Sequence, residues 1–104
     1  MSTDIIGGKL RKLREENELP LRKVAAELDI DVAILSKMER GERPLTKEVV
    51  NKLAKIYKYD AEELTILFLT HKILKQVGEE ALALKAMHIA EEQIKYQRKQ
   101  KGRR

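Results

Sequence analysis

The sequence contains no cysteine and no tryptophan, two prolines and one phenylalanine. Without cysteine the chain has no disulfide, no thiolate zinc site and no cysteine nucleophile, which is typical of proteins from a reducing compartment. No apolar run is longer than that of residues 66–69, whereas a membrane-spanning helix needs about 20 apolar residues. We therefore expect a soluble cytoplasmic protein that makes no membrane contact.

A strand-like alternation of apolar and polar residues is also missing beyond a few positions, so the sequence predicts an all-α fold. The chain has 104 residues, enough for one core and too few for two independent enzymatic domains. Its 22 basic and 17 acidic side chains give a formal net charge of +5. This excess favours a polyanionic partner such as nucleic acid without requiring one.

Side chains that carry catalysis or bind metals are scarce. The two histidines, His71 and His88, fall on different predicted helices and lack the spacing of metal ligands. Ser36 has no base and no orienting group placed to activate it. No glycine-rich phosphate loop follows a strand. The sequence therefore predicts a non-enzymatic protein with no metal, no cofactor and no evident small-molecule ligand.

What the sequence does contain is a pair of short helical patterns in its middle. The first helix follows Pro20, which tolerates a first helical position because it lacks an N–H. Its apolar stripe recurs at the spacing of one helix face, at Leu21, Val24, Ala25 and Leu28. In the corner after it, Asp29 can take a left-handed conformation and Asp31 can cap the next helix. Ile30 between them should point inward.

The second helix of the pair is predicted from Val32 to Arg40, and Gly41 suits the left-handed turn past its end. Leu35 and Met38 should face the first helix, which leaves the other side of the second helix in solvent. Two short helices joined by a three- or four-residue turn are a frequent DNA-reading unit.

Four further helices are predicted around this pair. One covers about residues 8–17, one is capped by Thr46 and one is capped by Asp60. Gly78 should end the helix that starts at Asp60, and residues 79–80 should then supply negative charge to the first turn of a sixth helix.

The fifth helix is apolar on two sides, and a small core covers one of them. The uncovered side predicts an oligomer, and the alanine-rich sixth helix could pack closely beside it. We predict that the interface of a homodimer contains apolar residues of both helices, namely Ile66, Leu69, Ile73, Val77, Met87 and Ile94.

Over residues 10–64 the sequence resembles the Cro/C1-type (XRE) family of helix-turn-helix regulators. The resemblance rests on an ordered set of segments, namely Lys9–Arg14, Val24–Ala25, Leu35–Gly41 and Leu53–Lys55. It implies a five-helix repressor-like DNA-binding domain with an added C-terminal helix. We expect the DNA-binding domain in residues 1–69 and a C-terminal helical dimerisation extension, continuous with it, in residues 60–104.

The resemblance also implies roles for individual residues. The positions that match base-reading residues of the family are Val32, Ala33, Ser36 and Lys37. The candidates for phosphate contact are Leu21 through its backbone, Arg22, Arg40 and Arg43. Arg14 and Glu39 match a pair that often forms an internal ion pair. Because Val32 and Ala33 are apolar, we expect them to contact thymine methyl groups, which leaves Lys37 as the residue that reads guanine.

These features predict a homodimeric regulator that binds an inverted repeat in double-stranded DNA. The compact start of the chain, residues 33–37 and the two C-terminal helices resemble a controller protein of a restriction-modification operon or a related bacterial regulator. The alternative is an antitoxin or adaptor whose C-terminal helices bind a different protein.

Overall fold

The computed structural model describes residues 4–102, and within that range the chain has six α-helices and no strand. The helices are α1 (Gly7–Glu16), α2 (Leu21–Leu28), α3 (Val32–Glu39), α4 (Lys47–Ile56), α5 (Ala61–Val77) and α6 (Ala83–Lys101). This confirms the prediction of an all-α fold with five helices and an added one. The predicted domain limits at residues 1 and 104 lie outside the described residues.

One hydrophobic core joins the first five helices. α3 packs on α1 and α2, α4 packs on α2, and α5 packs on α4. The largest fully buried side chains of this core are Ile6, Leu10, Val24, Leu35, Val50, Leu53 and Leu64. Because each helix contributes an apolar stripe to the core, the opposite sides of α2 and α3 remain in solvent.

Two of the predicted helix caps are confirmed. The hydroxyl of Thr46 accepts a hydrogen bond from the Val49 N–H at 3.2 Å, and the Asp60 carboxylate accepts one from the Glu63 N–H at 3.0 Å. The cap predicted at Asp31 is different, because this residue is the N-cap of α3 but its side chain makes no capping hydrogen bond.

Four helices end in the same backbone arrangement, in which one residue past the helix has a positive φ. These residues are Glu18 (54°), Asp29 (57°), Gly41 (74°) and Lys58 (53°). In each case the next N–H donates to a carbonyl five residues earlier, as from Tyr59 to Ala54 at 2.9 Å. The sequence predicts this conformation at Asp29 and Gly41 but not at Glu18 and Lys58, because glutamate and lysine have no recognised preference for it.

Replacing Lys58 with glycine is expected to raise the free energy of unfolding by about 0.5–1 kcal/mol. Glycine removes the steric cost of the left-handed conformation, which stabilises the folded chain. The greater conformational freedom of glycine in the unfolded chain cancels only part of this gain. Urea unfolding with an unchanged m-value measures the effect. The control is Lys52→Gly inside α4, which should lower the free energy of unfolding by about 1 kcal/mol. Destabilisation by both substitutions would contradict the argument.

α6 projects from this core. The helix begins at Ala83, so the prediction that residues 79–80 lie in its first turn is wrong. Those residues belong to a turn in which the Glu80 N–H donates to the Val77 carbonyl at 3.0 Å. Ala83 is the one buried residue of α6. The radius of gyration of 16.3 Å exceeds the value of about 13 Å expected for a compact chain of this length.

Candidate nucleic-acid interface

The core fixes which side of α3 faces solvent. Leu35 and Met38 are buried against the rest of the domain, at 1% and 6% exposure. α2 buries Val24 and Leu28 on its inner face. Ile30, in the corner between the helices, is half-buried and packs on the core. Because α2, the corner and α3 each pack apolar side chains on the core, α3 has one orientation relative to α2.

The four predicted base-reading residues share the opposite side of α3. Their spacing of i, i+1, i+4 and i+5 places them within one helix face. Val32 is 43% exposed, Ala33 and Lys37 are also exposed, and Ser36 is half-buried. The face combines two aliphatic groups, one hydroxyl and one ammonium group, a set that can contact a thymine methyl group and donate to guanine acceptors.

The predicted phosphate contacts lie at the two ends of the helix pair. Leu21 and Arg22 form the first turn of α2, whose N–H groups receive no side-chain cap from Pro20. Such free N–H groups at a helix start suit a phosphate oxygen. At the other end, Arg43 is exposed, whereas Arg40 is engaged by Glu42, with Nε to Oε2 at 2.9 Å.

Arg14 and Glu39 form a two-pronged ion pair between α1 and the end of α3. Arg14 Nε donates to Glu39 Oε2 at 2.7 Å, and a second guanidinium nitrogen donates to Oε1 at 3.1 Å. A third donates to the Leu19 carbonyl at 3.0 Å. The hydrogen bonding of Arg14 to the Glu39 carboxylate raises the pKa of Arg14. Burial, and then the charge of Glu39, raise the pKa of the nearby Tyr57 hydroxyl.

The start of α1 also contacts the end of α3, which the sequence analysis missed. The Asp4 carboxylate accepts hydrogen bonds from the N–H groups of Ile6 at 3.2 Å and Gly7 at 2.8 Å. A Cβ atom on Gly7 would lie 2.5 Å from the Glu39 carbonyl oxygen, so only glycine permits this approach. The contact explains a glycine in the first turn of α1, where helix propensity disfavours it.

α5 and α6 diverge and leave an apolar groove of about 730 Å³ between them. It is lined by four of the six predicted interface residues, Ile73, Val77, Met87 and Ile94. The other two, Ile66 and Leu69, lie nearer the start of α5, outside the groove, and are 56% and 48% exposed. The structure therefore places four of the predicted residues around one groove. The other two lie on α5, nearer its start than the groove residues Ile73 and Val77.

One group of side chains in the described residues has the geometry of metal ligands. His88, Glu91 and Glu92 bring their ligand atoms within 4.8 Å of one another on α6. All three side chains are exposed, and exposed acidic groups are common without an ion. His71 is elsewhere, with Nδ1 4.0 Å from the Asp4 carboxylate.

None of the helices described between residues 4 and 102 is long and apolar enough to cross a membrane.

Comparison with known families identifies the central part of the chain. The sequence model described as helix-turn-helix matches residues 10–64, slightly more than half of the chain. The matched segment contains all of α2, α3 and α4 and excludes α6. No curated protein and no solved structure matches the chain significantly.

Proposed function

Because the chain belongs to the Cro/C1-type (XRE) helix-turn-helix family of DNA-binding transcription regulators, we propose that it binds an inverted repeat in double-stranded DNA as a homodimer. The family assignment confirms the resemblance found in residues 10–64 and carries the DNA-binding role. The operator, the dimer and the roles of individual residues belong to the proposal.

The observation that carries the proposal is the solvent face of α3. Leu35 and Met38 hold the helix against the core, so Val32, Ala33 and Lys37 are exposed in a fixed orientation. A recognition helix enters the major groove with such a face, while phosphate contacts set its register. In this arrangement Arg22 and Arg43 flank α3 in sequence and supply those contacts.

Lys37→Ala is expected to weaken binding to the operator by about 1–3 kcal/mol and to relax specificity at one base pair. Selection of bound sites from random DNA first supplies the operator, and anisotropy titrations then compare it with single-base variants. Arg43→Ala is the matched control, because loss of a phosphate contact should weaken binding to all sequences and reduce the salt slope by about 0.9 for each protomer, hence by about 2 for a dimer. An equal loss on operator and random DNA in Lys37→Ala would contradict base reading.

The homodimer is supported by the exposed apolar surface of α6 and of its groove. α6 has 19 residues and one of them is buried. In proteins most of the stability of a helix comes from packing of its apolar face rather than from helix propensity, so this helix needs a partner. A second copy offers the same groove and the same helix, which suits a two-fold symmetric interface. In this proposal residues 60–104 form the dimerisation extension of a DNA-binding domain in residues 1–69.

Two narrower assignments follow from the sequence resemblance and the exposed helix. Control of a restriction-modification operon stays a prediction that the selected binding site would test. An antitoxin or adaptor is the second candidate function, favoured by the same uncovered groove, because a different protein could fill it. The mass of the purified chain in solution separates the two: a stable dimer supports the regulator, and a monomer supports the adaptor. In either role its site of action is the cytoplasm.

A further inference from the structure

A second cavity, of about 240 Å³, lies where α1, α5 and the connector after α3 meet. Its inner lining is apolar and contains Ile6, Met38 and Phe68, each less than a tenth exposed. Arg43 from the connector and Lys72 and Lys75 from α5 line the same cavity. A concave, partly open surface that is mostly apolar and has cations around it is the arrangement of a ligand pocket.

The charge of this pocket is strongly one-sided. Its one acidic residue, Asp4, already accepts two backbone hydrogen bonds, from Ile6 at 3.2 Å and Gly7 at 2.8 Å. Among the described residues, none of the three cations of the pocket has a carboxylate within 4.0 Å. Lys72 Nζ instead lies 5.3 Å from the centre of the Phe68 ring, which places an ammonium group over the apolar lining.

We propose that this pocket binds a small organic carboxylate with a compact apolar body, and that the bound ligand weakens DNA binding. The apolar body would rest on Met38 and Phe68, and the carboxylate would meet Lys72, Lys75 and Arg43. The volume is below the roughly 300–1,000 Å³ of pockets for drug-sized ligands, so the ligand is smaller than those. The sequence alone predicted no such ligand, because the lining comes from three separate segments.

The effect on DNA binding rests on the proposed function and follows from Arg43. This residue lines the pocket and is also the phosphate contact that we propose after α3. A guanidinium group that holds a ligand carboxylate through two hydrogen bonds is withdrawn from a DNA phosphate. By linkage, a ligand that lowers the affinity for DNA binds more weakly to the DNA complex by the same factor.

The first experiment measures ligand binding to the full chain without DNA, by isothermal titration calorimetry. Benzoate and hexanoate are the probes, and benzamide and hexanamide are uncharged analogues of the same shape. We expect saturable binding of the carboxylates, with at least tenfold weaker binding of the amides. Lys72→Met and Lys75→Met should each weaken benzoate binding by about tenfold, as expected for one lost hydrogen bond to a charged group. The control Lys55→Met, on the exposed side of α4, should leave it unchanged.

Four results of this experiment would overturn the pocket. The first is the absence of saturable binding of either carboxylate, and the second is equal binding of the amides. The third is inorganic phosphate binding as tightly as benzoate, since that would show an anion site without an apolar component. Equal losses in Lys55→Met and Lys72→Met would likewise assign the binding to general surface charge.

The second experiment measures operator affinity with and without saturating benzoate. We expect a lower affinity and a salt slope reduced by about 0.9 for each Arg43 withdrawn, hence about 2 for a dimer. The double variant Lys72→Met/Lys75→Met should show no benzoate effect. Benzoate that binds the free chain but leaves DNA affinity unchanged overturns the regulatory role. A chain that binds benzoate but selects no DNA site overturns the proposed function, and the pocket is then judged by the first experiment.

Discussion

Glu39→Ala is expected to lower the free energy of unfolding by about 3–5 kcal/mol, the largest stability effect we predict. The side chains of Arg14 and Glu39 are 12% and 5% exposed. Removing the carboxylate leaves a guanidinium group buried with the Leu19 carbonyl as its remaining acceptor. Since domains are stable by about 5–15 kcal/mol, the loss is a large part of the total. Urea unfolding and the midpoint of thermal unfolding both measure it.

The chain supplies a matched control in a second arginine–glutamate pair, which is exposed. Arg40 and Glu42 make the same kind of contact at 2.9 Å, but their side chains are 54% and 56% exposed. Glu42→Ala should therefore cost less than about 1 kcal/mol, because water screens an exposed pair. The double variant Arg14→Met/Glu39→Met should recover most of the loss, since it leaves no unpaired buried charge. Equal effects of Glu39→Ala and Glu42→Ala would contradict the role of burial.

The Arg14–Glu39 ion pair should affect DNA binding as well as the stability of the fold. Glu39 is the last residue of α3, and its partner lies on α1. The Gly7 approach to the Glu39 carbonyl provides a second contact between the same two elements. Together they hold the end of α3, the proposed recognition helix, so variants that remain folded at low temperature should still bind DNA less tightly because α3 is less well positioned.

The helix pair could be predicted because its signals are local. Val24 and Leu28 repeat within one helix face, and Leu35 and Met38 repeat within the next, so periodicity alone orients both helices. The Arg14–Glu39 contact came from resemblance to a family, since no local pattern joins residues so far apart in the chain. Gly7 shows the limit of propensity, because its role depends on a carbonyl oxygen of α3 that only the folded chain brings close.

The start of α6 and the cavity beside α5 could not be predicted from the sequence, because both depend on how the chain packs rather than on a local pattern. Two glutamates after a glycine resemble a first helical turn, but residues 79–80 form a turn that precedes α6. The cavity combines Arg43 of the connector with Lys72 and Lys75 of α5. These residues come together only when α5 packs on the core. Charged residues on a helix surface otherwise indicate no more than a solvated face.

Ile73→Glu is expected to convert the proposed homodimer into a monomer and to lower operator affinity by about 10²–10⁴-fold. Ile73 lines the groove between α5 and α6 and is 45% exposed in the single chain. A carboxylate there would lose its hydration when the apolar groove is covered in the dimer, which disfavours association. The operator loss arises because two linked recognition helices gain affinity that one helix lacks. Affinity for an isolated half-site should stay unchanged.

Sedimentation and operator titration of two further variants make this test specific to the groove. Leu84→Glu introduces the same charge on α6 at a residue that is 82% exposed and does not line the groove, so it should remain a dimer. Leu69→Glu asks whether the interface continues along α5 beyond the groove. A fully dimeric Ile73→Glu variant would place the interface elsewhere. A monomeric unsubstituted chain would instead favour a different protein as the partner of α6, because its apolar residues would still need cover.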